Sequence, residues 1–204
     1  MSALLDFTLS MVSLLIVLGT IRIGNDFLFS GFLWLAMATF VGTLVLAGVP
    51  GVRATHVWLD QVCRGPGALA MGIGILAQLY GPFKGARWTA QLLAIGGAAI
   101  TYFLADRPWR EFFVIAMGLV LLLSLALLCI RHYKQGHTAE AGAALASALL
   151  LAFVGLGLNR LPIPSQSPIR QVDILHVTLI VAYPLMWISA SRAYQDANRM
   201  LEET

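Results

Sequence analysis

Apolar residues come in long blocks along this chain. Seven blocks can be counted, at about 3–21, 27–49, 66–82, 88–105, 112–130, 138–159 and 174–191. Most approach the roughly 20 residues an α-helix needs to cross a hydrocarbon layer about 30 Å thick. Short charged connectors separate them, among them "RIGND", "GPFKGAR", "DRPWRE" and "RHYKQGH". The pattern predicts an all-α integral membrane bundle of seven transmembrane helices. It forms one domain over 1–204, with no soluble domain and no fixed-period repeat.

Composition agrees: 59% of the 204 residues are hydrophobic and 11% charged, against about 25% charged in soluble domains. Mean hydropathy is +0.82. The net charge of +3 comes from 13 Lys and Arg scattered singly and in pairs. Such charge sets topology and forms no nucleic-acid patch. The first block has no Lys or Arg before it and no small-x-small site after it, so it is expected to stay as a helix rather than be cleaved. Counting spans puts Cys63 and Cys129 on opposite faces, about 30 Å apart, too far for a disulfide.

Trp58, Trp88 and Trp109 stand near charges at block ends, as amphipathic rings do at headgroup level. "GGAA" (96–99) and "AGAALASA" (141–148) predict close helix contacts. Pro184 predicts a kink or a freed carbonyl in the last span. The polar tail "SRAYQDANRMLEET" can continue that helix beyond it. With seven spans, Arg53, Arg64, Arg107, Arg110, Arg160 and Arg170 share the N-terminal face. Arg22, Lys84, Arg87, Arg131, Lys134, Arg192 and Arg199 lie on the other, which predicts an outside N-terminus and a cytoplasmic C-terminus.

The same count brings Asp6, His56, Asp60, Arg64, Asp106, Glu111, Asp173 and His176 to one half of the membrane. His56, Asp60 and Arg64 fall within about 80° on one helix face. Asp60 can hold His56 as a base or ligand, or pair with Arg64 at i,i+4. Gly65-Pro66-Gly67 predicts a break there, with 55–64 an interfacial helix turning Trp58 and Leu59 to lipid. Asp173 and His176 form an i,i+3 pair at the edge of a span. There ionisable groups are functional-site hypotheses by default, and a helix-start Asp with a helix-bonded His is the structural alternative. Asp6 either joins that site or reaches back to the interface. Thr43, Gln78, Gln91, Thr101, Ser124 and Ser147 are expected to bond carbonyls or other helices. His132 and His137, beside Arg131 and Lys134, are expected to be solvated.

Seven spans with polar groups at the ends of helices two, three and seven resemble the alkaline ceramidases and adiponectin-receptor-like proteins. That pattern has Ser-x-x-x-His late in helix two, an Asp early in helix three and His-x-x-x-His in helix seven, with three His on zinc. The resemblance implies Thr43 in "VGTLVLAG" at the Ser position, Asp60 as the Asp and His176 as a zinc ligand. Ala47, Val172 and Ile180 stand where further His would be sought, so two of three zinc ligands are absent. A rebuilt set would draw on His56, His176 and a carboxylate from Asp60, Asp173 or Asp6. "GTLVLAG" and "DILH" also resemble an uncharacterised family of bacterial seven-span proteins, which implies the bacterial inner membrane.

The expectation for function is a non-catalytic membrane module, either a complex subunit or a binder of a lipid or other apolar ligand. Asp6, Thr43, Arg64, Asp173 and His176 are its ligand-binding candidates. The bilayer and a membrane-protein partner or second copy are the expected partners. The alternative is a metal-dependent hydrolase of lipid amides or esters. There zinc would lower the pKa of its water to about 7, with Asp60 as base and His56 beside it. Haem held by His56 and His176 has no motif behind it. Transport lacks an inverted repeat, and retinal lacks a Lys in the last span.

Overall fold

Wherever the structure describes an apolar block, that block is helical. The computed structural model describes residues 2–80, 96, 100, 103–104, 106–158, 167 and 170–202. Helix α1 is Ser2–Ile23, α2 Asp26–Leu46, α3 Arg53–Val62 and α4 Ala68–Tyr80. Helix α5 is Arg107–Lys134, α6 Thr138–Ala152 and α7 Gln171–Glu202, and no strand occurs among the described residues. Six stretches are long and apolar enough to cross a membrane, with Arg53–Leu79 counting as one. The seventh block, 88–105, lies outside the described residues apart from 96, 100 and 103–104.

Local chemistry sets the helix ends. Gly24, at φ +59°, turns the chain between α1 and α2. Asn25 then caps α2, its Oδ1 accepting from the Leu28 N–H at 3.0 Å. The break expected at Gly65-Pro66 does not occur. Residues Cys63–Gly67 form a π-helical turn that joins α3 to α4. A wider turn accommodates the proline ring and its missing N–H without ending the helix. Leu59, expected to face lipid, is 2% exposed and points inward with Val62. Trp58 is on the outside, edge-on to Trp34 at 5.8 Å and stacked on Phe103 at 6.2 Å. Helix α7 runs on through Pro184 and the polar tail to Glu202.

The helices close a ring. Helix α1 packs on α2, α2 on α4, α4 on α5, α5 on α6, α6 on α7, and α7 returns to α1. Inside lie Leu9, Ile16, Leu28, Phe32, Met71, Ile75, Leu125, Leu128 and Met186. Phe32 meets Tyr183 edge to face at 5.5 Å. Outside, Leu15, Leu123 and Leu149 are each more than 60% exposed. A water-soluble monomer rarely shows so many large apolar side chains, whereas hydrocarbon accepts them without cost.

Small residues set the closest approaches. A Cβ on Gly74 would stand 2.8 Å from the Leu28 nitrogen, so α4 can reach the start of α2 only because no side chain is there. The approach lets Asn25 Nδ2 donate to the Gly74 carbonyl at 3.0 Å. Ala141, Ala144 and Ser147 form the buried face of α6, as "AGAALASA" predicts. "GGAA" lies, Gly96 apart, outside the described residues. Cys63 and Cys129 are both free thiols.

Candidate functional site

Asp6 is in the second turn of α1 and His176 in the second turn of α7. They are 5% and 7% exposed, and His176 Nε2 donates to Asp6 Oδ1 at 2.9 Å. Asp6 thus lies inside the bundle and does not reach back to the interface. The other carboxylate oxygen rests on Gly42 of α2: a Cβ there would meet Asp6 Oδ2 at 2.9 Å and His56 Cε1 at 3.0 Å. His56, from α3, donates through Nδ1 to the Ala38 carbonyl at 3.2 Å, since a carbonyl can only accept. Asp6 and His56 therefore meet at Gly42, and His176 joins them through Asp6.

The other predicted residues do not join them. Asp60 takes the Arg64 alternative, at 3.0 Å, with side chains 41% and 63% exposed. An exposed i,i+4 pair of this kind is worth at most about 1 kcal/mol. Asp173 is buried and turned to its own helix start and to α1: Ser2 Oγ donates at 2.5 Å and the Arg170 N–H at 2.9 Å. Asp173 and His176 each bond to α1 or the helix start rather than to one another. Thr43 donates to the Thr39 carbonyl of its own helix at 3.0 Å. Ala47 is the exposed C-cap of α2 and Val172 is 38% exposed.

Zinc at this end, as the family resemblance implies, would have to use His176 and His56. Both rings are set as metal-binding imidazoles are, each donating one N–H to a carboxylate or carbonyl. Buried His176 Nδ1 has no partner. A third ligand is missing, because Asp6 is bonded to the opposite nitrogen of His176 and Asp60 and Asp173 are turned elsewhere. The donors here do not fit a three-ligand zinc centre. Among the described residues, one other group brings three donor atoms close enough for an ion: His132, His137 and Asp196, at the opposite end of the bundle.

That group corrects an expectation. His132 is 0% exposed rather than solvated, and its Nε2 donates to the Ser189 carbonyl of α7 at 2.9 Å. Helical register carries the signal: His132 continues the buried stripe Leu121, Leu125, Leu128. Asp196 likewise continues Ala182, Met186, Ser189, Ala193 on α7. Sequence reasoning also passed over Gly42, and over Ser10, whose hydroxyl donates to the Ala36 carbonyl at 3.0 Å and ties α1 to α2. The polar residues that bond within their own helices, Thr43 and Ser124, were expected to be capable of either bond. No protein-family model, curated protein or solved structure matches this chain.

Proposed function

We propose that this chain is a multi-pass membrane protein serving as a non-catalytic helical module, as a subunit of a larger complex or as a binder of a lipid or other apolar ligand. The observation that carries the reading is the double tie between the first and last helices, Asp6 to His176 and Ser2 to Asp173. The two buried carboxylates at this end, Asp6 and Asp173, are engaged in holding the ring closed, and Asp60 is paired with Arg64 outside it. A general base must reach the proton it removes with a free lone pair and correct geometry, and Asp60, Asp173 and one oxygen of Asp6 are already committed to other donors. The reading takes 88–105 as the seventh span. It puts the protein in the bacterial inner membrane, on the resemblance carried by "GTLVLAG" and "DILH", with the N-terminus outside, on the distribution of Lys and Arg.

The test is native mass spectrometry of the full chain released from membranes in a mild non-ionic detergent. A stoichiometric lipid or protein partner is the expected result. A monomer free of both overturns the reading. So does hydrolysis of a lipid amide or ester that is lost in His176→Ala.

A further inference from the structure

We infer that the end of the bundle opposite Asp6 binds a divalent transition-metal ion, zinc by the chemistry of its donors, through His132, His137 and Asp196. The three come from three helix ends: the last turn of α5, the residue before α6 and the far part of α7. Their donor atoms all lie within 4.8 Å of one another.

His132 is the most constrained member. Its Nε2 is committed to the Ser189 carbonyl and so carries the hydrogen, which leaves the lone pair on Nδ1. Nδ1 is buried without a partner, in a side chain with no exposed surface. A ligating histidine is held in this way, its outer N–H on a carbonyl and its inner nitrogen free for the metal. An orphaned nitrogen inside a bundle is otherwise a net cost.

His137 arrives beside it because Gly136 takes φ +79° and turns the chain back from α5 into α6. His137 Nδ1 stands 3.3 Å from Asp196 Oδ2, and neither atom makes a hydrogen bond there. Two ligands about 2.0–2.1 Å from one tetrahedral zinc lie about 3.4 Å apart, so the spacing of this pair suits a shared ion, with the His132 donor within 4.8 Å of both. Arg192 Nε stands 3.3 Å from the other carboxylate oxygen, Oδ1, as an ion pair without a hydrogen bond, and Oδ2 is buried. The guanidinium also lies 3.4 Å from His137 Nε2, a long contact that ligation through Nδ1 gives up. Two imidazoles and one carboxylate with a vacant fourth position is a donor set zinc favours, the fourth place going to water or an added ligand.

The full chain, carrying a Strep rather than a polyhistidine tag, is stripped with EDTA in detergent, dialysed against zinc chloride and measured by inductively coupled plasma mass spectrometry. One zinc per chain is expected, with affinity at least about 100-fold weaker in His132→Ala and Asp196→Asn. Gly118→Ala, where an added Cβ meets nothing within 4 Å, is expected to keep the full zinc content. Because a ligand variant can misfold, cobalt(II) is also added to the stripped wild type, where the visible bands of tetrahedral cobalt are expected. Folded wild type that takes up neither metal at micromolar concentration overturns the inference. Equal zinc in wild type and Asp196→Asn overturns it as well.

Discussion

Asp6 and His176 share a 2.9 Å hydrogen bond inside the bundle and so fasten the first helix to the last. Removing one partner strands the other. Asp6→Ala leaves the His176 N–H buried without an acceptor, which costs about 1–3 kcal/mol. Replacing both residues by Leu removes the two polar groups together, so the double variant is expected to lose less than the sum of the single changes. Thermal unfolding in detergent of Asp6→Ala, His176→Ala, Asp6→Leu, His176→Leu and the Leu double variant measures the coupling. Strict additivity would show that the contact contributes nothing to ring closure.

Gly42 allows that contact. Gly42→Ala puts a methyl group 2.9 Å from Asp6 Oδ2 and 3.0 Å from His56 Cε1. Neither neighbour can retreat freely, since Asp6 is bonded to His176 and His56 to Ala38. Overpacking of this kind costs about 1–3 kcal/mol. Gly118→Ala and Gly142→Ala, where a Cβ meets nothing within 4 Å, are expected to be neutral or to gain up to about 1 kcal/mol from helix propensity. A thermal midpoint for Gly42→Ala equal to theirs would mean that the polar cluster is looser than its distances imply.

Asp60 gives the opposite expectation. Its carboxylate is exposed and paired with an exposed Arg64, so Asp60→Ala and Arg64→Ala should each change stability by less than about 1 kcal/mol. Raising the salt concentration should shrink even that difference. A loss of several degrees in thermal midpoint from Asp60→Ala, or loss of a lipid-hydrolysing activity, would return Asp60 to the centre of the site.

The blocks of apolar residues made six spans legible, because length and hydropathy alone decide whether a helix can cross hydrocarbon. They also put Asp6, His56 and His176 at one end, since each added span reverses the face. What they could not reveal was which partner each side chain takes. Asp60 sits four residues from both His56 and Arg64, and only helix rotation decides between them. Pro66 reads locally as a break, yet tertiary packing carries the chain through it as a π turn. His132 stands among charges in sequence and is entirely buried in space, because its register continues the stripe of Leu121, Leu125 and Leu128.

Asn25 offers a test of how the ring is held at its other end. Its side chain works twice, accepting from Leu28 at the start of α2 and donating to the Gly74 carbonyl of α4, both at 3.0 Å. Asn25→Asp keeps the acceptor that caps α2 but sets a carboxylate oxygen against the Gly74 carbonyl. Asn25→Ala loses both bonds, and the missing cap alone is worth about 0.5–2 kcal/mol. A helix-capping role without the α4 contact predicts that Asp is as stable as wild type. The observed geometry predicts that Asp is destabilised too, since two acceptors then face each other in a residue only 6% exposed. Ranking wild type, Asp and Ala by thermal midpoint in detergent separates the two, and an Asp variant indistinguishable from wild type would remove the α2 to α4 tie from this account.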